Sequence, residues 1–232
     1  MKPDSRKIIH LGINFIIAPR PNLEAKQKLA FQQALSDCGL EYTATNTPTR
    51  EKFIVTRQAG SPLEIHVGIP NPQYGQFLVI ASRPQCTLQL FIGEAEAAAQ
   101  AFMNTWPNNY QIISSDLSIR ELHETTSEHA FKELWETRLH QPPEVLKVFN
   151  RPILGGGLRI VMPPIPSDQP PVQIEIKVES FLEDSSKIFV DLNCVFPAPE
   201  PAGSLFDINK RFTMANKYLE ESVYPFIKGA IP

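Results

Sequence analysis

The 232 residues include 22 Lys and Arg and 25 Asp and Glu, which gives a formal net charge of −3 at pH 7. This balance excludes the broad basic face that nonspecific nucleic-acid binding requires, so we expect no general nucleic-acid partner. Apolar residues make up 42% of the chain and charged residues 20%, which is typical of a folded globular protein and excludes a disordered one.

The compartment is indicated by the cysteines and by the apolar segments. Cys38, Cys86 and Cys194 are far apart, odd in number and free of any CxxC pair, a pattern typical of reduced thiols in a cytoplasmic protein. No stretch approaches the roughly 20 apolar residues of a membrane-spanning helix. The apolar run at 8–18 is interrupted by His10 and Asn14, so it is predicted as a strand and not as a signal peptide. We therefore predict a soluble cytoplasmic protein without membrane contact.

The first half of the chain is predicted as strand, helix, meander, helix. Apolar residues alternate from Ile9 to Ile17 in the first strand, and Asn22 caps a helix that stops at Gly39. A small-residue helix at 94–105 closes this half. The intervening short strands are expected at 40–45, 52–57, 63–69, 77–81 and 87–91.

The second half repeats this order. A strand at 110–122 is followed by a helix that a capping box at Thr125 and Glu128 should start, and by a strand at 158–162. A second capping box at Ser204 and Asp207 predicts the last helix, which Pro225 should kink or end. The order alone suggests a pseudo-repeat in which the lead strands, at 8–17 and 112–122, pair at the centre of one sheet.

A hairpin joins the strands at 172–178 and 188–196. In both strands the apolar residues fall on even numbers, so the two apolar faces coincide only if the connection has an odd length of three or five residues. The last helix should cover this hairpin with one apolar stripe. The stripe of Leu205, Ile208, Phe212, Leu219 and Val223 is expected to pack on Ile174, Ile176, Val190 and Leu192.

These elements predict an α+β fold in which helices cover one face of a curved, mainly antiparallel sheet. The short connections favour antiparallel neighbours. The N-terminal half spans 1–109 and the C-terminal half 110–232, either as two units or as one continuous domain.

The best metal-like pattern is a stripe of His129, Glu133, Glu136 and His140. Spacings of four, three and four residues place these side chains on one face of an α-helix, where they could hold a metal ion or perform acid–base chemistry. That face is opposite the apolar Phe131 and Leu134, so the competing interpretation is a solvated polar face. A metal-dependent or acid–base hydrolase is the alternative function that this stripe supports.

Motifs for other chemistries are missing from the sequence. There is no GxSxG elbow and no GxGxxG or GxxxxGK[ST] loop, so we assign no catalytic residue and no cofactor, and we lean against an enzyme. The leading hypothesis is a non-enzymatic cytoplasmic protein that binds another protein or a small apolar ligand in a cleft between helices and sheet. The amphipathic side chains that could line such a cleft are Tyr74, Trp106, Tyr110 and Trp135.

Three features of the sequence resemble those of a known protein family. They are an early apolar strand before a helix, Ser118-Ile119-Arg120 in the middle strand, and Leu205-Phe206-Asp207-Ile208 at the start of the last helix. In these features the chain resembles an uncharacterised, sporadically distributed bacterial family without an assigned activity. The asparagine that is frequent after the middle strand in that family is replaced by Glu121-Leu122-His123. The resemblance implies no catalytic residues.

Overall fold

The structure is a computed structural model that describes residues 1–2, 5–45, 51–57, 63–197 and 206–229. Nine strands are present in these ranges: β1 (Lys7–Ala18), β2 (Thr43–Thr45), β3 (Lys52–Thr56), β4 (Leu63–Gly68), β5 (Gly75–Ser82), β6 (Gln111–Glu124), β7 (Gly157–Met162), β8 (Gln173–Ser180) and β9 (Lys187–Phe196). They form one antiparallel sheet in the order β2-β3-β4-β5-β1-β6-β9-β8-β7. The predicted antiparallel α+β fold is therefore confirmed.

The helices cover one face of this curved, open sheet. On β1, Leu11, Ile13 and Phe15 are fully buried beneath the helices, whereas the alternate side chains of His10, Asn14 and Ile16 are only partly covered. The helical elements are α1 (Ala25–Asp37), α2 (Leu88–Thr105), α3 (Ala130–Lys132) with a π-helical turn (Glu133–Arg138), a 3-10 segment (Pro143–Phe149), α4 (Ile208–Tyr218) with a π-helical turn (Leu219–Val223), and α5 (Tyr224–Lys228).

The two lead strands pair at the centre of the sheet, as predicted. Ile13 of β1 lies opposite Leu117 of β6, and on each side the sheet continues with the last strand of the same half. The order outward from β1 is β5, β4, β3, and the order outward from β6 is β9, β8, β7. The structure thus shows the repeated plan of strand, helix, meander and helix, with β3 and β7 in equivalent places.

The hairpin between β8 and β9 has the predicted odd connection. Ile176 pairs with Leu192 and Val178 with Val190, so both apolar sets face the helices. The backbone N–H of Phe181 donates to the carbonyl of Lys187 over 2.9 Å, which leaves five residues, 182–186, in the loop.

The C-terminal helix covers the hairpin and also reaches the centre of the sheet. Ile208, Phe212, Leu219 and Val223 are buried in one core with Ile176, Val190 and Leu192, and Ile174 packs at its margin. Phe206 lies 4.6 Å from Phe15 between ring centroids, a contact over β1 that the sequence did not indicate. The helix does not end at Pro225, because the π-helical turn leads directly into α5, which continues to Lys228. Ser204 and Leu205 lie outside the described residues.

Several predicted element boundaries differ from the structure. Residues 87–91 are not a strand: the Thr87 side chain accepts a hydrogen bond from the Leu90 N–H over 3.3 Å and caps α2. A five-residue segment in which Leu88, Leu90 and Phe91 are apolar is too short to distinguish a strand from the first turn of a helix by period alone. The capping box at Thr125 is also wrong, because the helix begins at Ala130 and the His129 side chain is its cap. The strand predicted at 40–45 is confined to Thr43–Thr45.

Candidate functional site: the β7 edge and its groove

Strand β7 forms one edge of the sheet and is exposed on both faces. It pairs with β8, where Leu158 lies opposite Val178 and Ile160 opposite Ile176. Ile160 is 37% exposed and Val161 is 50% exposed. An edge strand with apolar side chains in water is a template for pairing with another strand.

The direction of the backbone groups of β7 follows from one hydrogen bond. The N–H of Ser180 donates to the carbonyl of Gly156 over 3.0 Å, so residue 156 is a hydrogen-bonded position of the β7–β8 ladder. In an antiparallel pair these positions alternate along the strand, so the groups of the even-numbered residues face β8. The N–H and C=O groups of Gly157, Arg159 and Val161 therefore point away from the sheet.

The equivalent edge in the N-terminal half is covered. There β2 pairs with β3, with Ala44 opposite Val55. In the C-terminal half the connection between α3 and β7 instead contains the 3-10 segment, and among the described residues β8 is the neighbour assigned to β7. The fold thus provides its own example of a short antiparallel strand added at this position.

An apolar groove adjoins β7 on the helix side. It has a volume of about 150 Å³ and lies between β7 and β8 on one side and the C-terminal helix on the other. Its polar atoms are few: the Tyr218 hydroxyl donates to the Met162 sulfur over 3.2 Å. Its walls consist of Leu158, Ile160, Met162, Ile176, Val178, Tyr218, Ser222, Val223 and Phe226.

Exposed apolar side chains continue along the segments that flank β7. Their exposed fractions range from 51% to 78%. Single exposed apolar residues are ordinary, and these five are grouped by their closeness to β7 along the chain. These residues are Val145, Val148, Phe149, Leu154 and Ile165.

The aromatic residues predicted to line a common cleft are dispersed. Trp106 and Tyr110 are buried in the hydrophobic core, where the Trp106 indole N–H donates to the Asn22 carbonyl over 2.7 Å. Tyr74 is half-buried beside β5. Trp135 stacks on Phe131 and borders a small hollow that adjoins Leu158 and Phe226. Only Trp135 of the four lies near the β7 groove.

The predicted metal stripe is not assembled. The π-helical turn changes the angular spacing after Lys132, His140 has a φ of +51°, and Glu133 is fully enclosed. Glu133 accepts hydrogen bonds from the ammonium group of Met1, the Thr125 hydroxyl and the Thr126 N–H. Within the described ranges, no three His, Cys, Asp or Glu side chains are grouped so that they could hold a metal ion. The competing prediction of a solvated face is wrong at Glu133.

A polar row crosses the helix-free face of the sheet. Arg159 pairs with Glu175 on β8, Lys177 lies between Glu175 and Asp191, and Asp191 pairs with Arg120 on β6. The row holds three cationic and two anionic side chains, and Arg159 lies at its outer end, on the edge strand, with its Nη1 outside the pair with Glu175.

His10 and Ser118 lie at the end of this row. The His10 Nε2 is 3.1 Å from the Ser118 Oγ, and burial together with nearby Arg120 lowers the pKa of His10, which keeps the imidazole neutral at pH 7. This hydrogen bond joins β1 to β6 and gives His10 a structural role.

The sequence contained a weak signal for the β7 edge. Gly155-Gly156-Gly157 and Pro163-Pro164 bracket a six-residue strand, and proline is restricted to strand ends and edges. The glycine at position 157 allows close packing, since a Cβ there would lie 2.1 Å from the Val178 carbonyl oxygen.

No helix in the described part of the chain is both long and apolar enough to cross a membrane. Comparison with known proteins gives no relative: neither a protein-family model nor a curated protein matches this chain.

Proposed function

We propose that this chain is a non-enzymatic, cytoplasmic interaction protein that binds an extended segment of a partner protein along β7. The observation that carries the proposal is the outward direction of the backbone groups of Gly157, Arg159 and Val161 beside an apolar groove. In strand addition, main-chain hydrogen bonds supply affinity, and pockets for alternate side chains supply specificity. β7 has both features, because its outward-facing backbone groups lie beside an apolar groove.

The partner segment would take the place relative to β7 that β2 takes relative to β3. It would run antiparallel to β7, exchange hydrogen bonds with the three outward-facing residues, and direct alternate side chains toward the groove. Ile160 and Val161 would then lose the exposure that they have at the open edge.

Replacing Val161 by proline tests this proposal. The Val161 N–H points away from β8, so proline removes an outward donor while the β7–β8 ladder keeps its hydrogen bonds. Peptides selected against the wild-type protein from a random display library are expected to bind V161P at least about tenfold more weakly, because a lost main-chain bond leaves an unpaired acceptor. Fluorescence anisotropy with labelled peptides measures the dissociation constants.

The control is L90S. It changes a side chain that is 60% exposed on α2, a helix that contacts α1, α4 and β5. This variant should bind the same peptides as tightly as the wild-type protein. Far-UV circular dichroism verifies that both variants are folded. Selected peptides that bind V161P and the wild-type protein equally well would refute strand addition at β7.

A further inference from the structure

Arg159 gives the proposed strand addition a charge preference, and this preference rests on the proposed function. We infer that the partner segment carries an acidic side chain opposite Arg159 and aliphatic side chains at the two neighbouring positions. The acidic side chain lies on the helix-free face, and the aliphatic ones face the groove.

Arg159 is the one charged residue among the six of β7, and its side chain is 63% exposed. Its Nε donates to one Glu175 carboxylate oxygen over 2.8 Å and its Nη2 to the other over 3.0 Å. A guanidinium group has five N–H donors, and this pair uses two of them. Glu175 therefore holds the group in a fixed orientation, and Nη1 takes no part in the pair.

An antiparallel neighbour places one of its residues directly opposite Arg159. The Cβ atoms of opposed residues lie about 4.5–5.5 Å apart, within reach of a carboxylate for the guanidinium group. Opposite charges at such positions stabilise the pair and like charges destabilise it. A glutamate at this position of the partner would be favoured over a lysine.

The positions on either side of that residue lie opposite Leu158 and Ile160. Both side chains belong to the wall of the apolar groove, so the partner's side chains there leave water for an apolar surface. β-Branched aliphatic residues suit a strand that is half-buried in this way. The expected pattern is thus aliphatic, acidic, aliphatic.

A second copy of this chain fits the edge less well. In a dimer, the outward-facing residues of one β7 must pair with the outward-facing residues of the other. The register that uses all three outward-facing residues pairs Gly157 with Val161. It also places Arg159 directly opposite Arg159 of the second copy. Shifting the register by two residues in one direction pairs Gly157 with Pro163, which lacks an N–H donor, and shifting it in the other pairs Gly157 with Arg159 and leaves Val161 opposite Gly155, outside β7. An acidic partner segment has none of these defects.

Two synthetic peptides test the inference. The first contains Val-Thr-Val-Glu-Val, which places Glu opposite Arg159, and its twin contains Val-Thr-Val-Lys-Val; both carry polar flanks and a fluorescent label. Wild-type protein is expected to bind the Glu peptide about tenfold more tightly than the Lys peptide at low salt, and less selectively at high salt. R159Q should remove the preference, and R159E should reverse it.

The outcomes separate the charge inference from the proposed function. If the wild-type protein binds both peptides equally and V161P weakens both, strand addition stands and the role of Arg159 is refuted. If neither peptide binds, the inference is overturned, and the display-selected peptides still decide strand addition. Sedimentation equilibrium of the protein alone measures whether it forms a dimer. A dimer that V161P dissociates would mean that a second copy of the chain pairs with β7, and would refute the inference that the partner is an acidic segment.

Discussion

Replacing Glu133 by glutamine is expected to lower the free energy of unfolding by about 3 kcal/mol at pH 7. The carboxylate is 1% exposed and accepts hydrogen bonds from the Met1 ammonium group, Thr125 and the Thr126 N–H, the last over 2.6 Å. Arg138 donates a further bond over 3.3 Å. Glutamine leaves the buried ammonium group without its counter-charge, and its amide cannot accept all four bonds. Urea denaturation measures the change.

The effect of this substitution should depend on pH in a defined direction. Burial of the Glu133 carboxyl favours its neutral form, but the hydrogen bonds from Met1, Thr125 and Thr126 outweigh burial and hold its pKa at about 2, below the ordinary 4.5. A depressed pKa contributes stability that is complete above the unfolded-state value and declines as the pH falls toward the folded-state value. The stability difference between wild type and E133Q should therefore be constant above about pH 5 and shrink between pH 5 and 2.

Glu136 provides the matched control, because it lies one turn away and is only half-buried. E136Q is expected to change the free energy of unfolding by less than about 0.5 kcal/mol. A difference between wild type and E133Q that stays the same from pH 7 to pH 2.5 would contradict the role of the carboxylate charge.

Glu133 also illustrates where reasoning from the sequence ended. Its position on a polar stripe was derived at 100° per residue, but the N–H of Leu139 donates to the carbonyl of Leu134, the five-residue spacing of a π-helix. Its partner, the amino group of Met1, is 132 residues away. Neither a change of helix type nor a contact at that separation leaves a periodic signal in the sequence.

The sheet was predictable where apolar and polar residues alternate along its strands. The parity of the apolar residues fixed the β8–β9 register and the odd loop, because a shift by one residue would expose every apolar side chain of one strand. The pairing of β1 with β6 followed from the repeated element order. By contrast, α2 was predicted to begin six residues too late, since the apolar residues Leu88, Leu90 and Phe91 suit a short strand and the first turn of a helix equally.

The candidate site was harder to predict than the fold. β7 is open because no second strand among the described residues lies beside it, and alternation within a strand does not indicate which strand is its neighbour. The aromatic residues that were expected to line a cleft are good core residues for the same reason that they are good ligand contacts: each buries a large apolar surface. Trp106 and Tyr110 are buried core residues of this kind.

The ring of Phe102 connects the two halves of the chain, and replacing it by alanine should lower the free energy of unfolding by about 4 kcal/mol. Its ring centroid lies 5.0 Å from that of Phe77 on β5, 5.4 Å from that of Tyr110 and 5.8 Å from that of Phe206, just before α4. Phe77 belongs to the N-terminal half, and Tyr110 and Phe206 to the C-terminal half. Alanine would leave a cavity between them that the rigid sheet cannot close.

Because this cavity would border both halves, the whole chain should lose stability in one transition. The two tryptophans report on the halves separately: Trp106 lies 5.0 Å from Phe102 between ring centroids, and Trp135 lies on the π-helical turn after α3. F102A should lower the urea midpoint in both the W135F and the W106F background, each compared with the same background that retains Phe102. L90A, on the exposed face of the same helix, should change the free energy of unfolding by less than about 0.5 kcal/mol. Two separate midpoints, with only the Trp106 signal shifted, would instead mean that the N-terminal half unfolds on its own and that the aromatic contacts do not couple it to the second half.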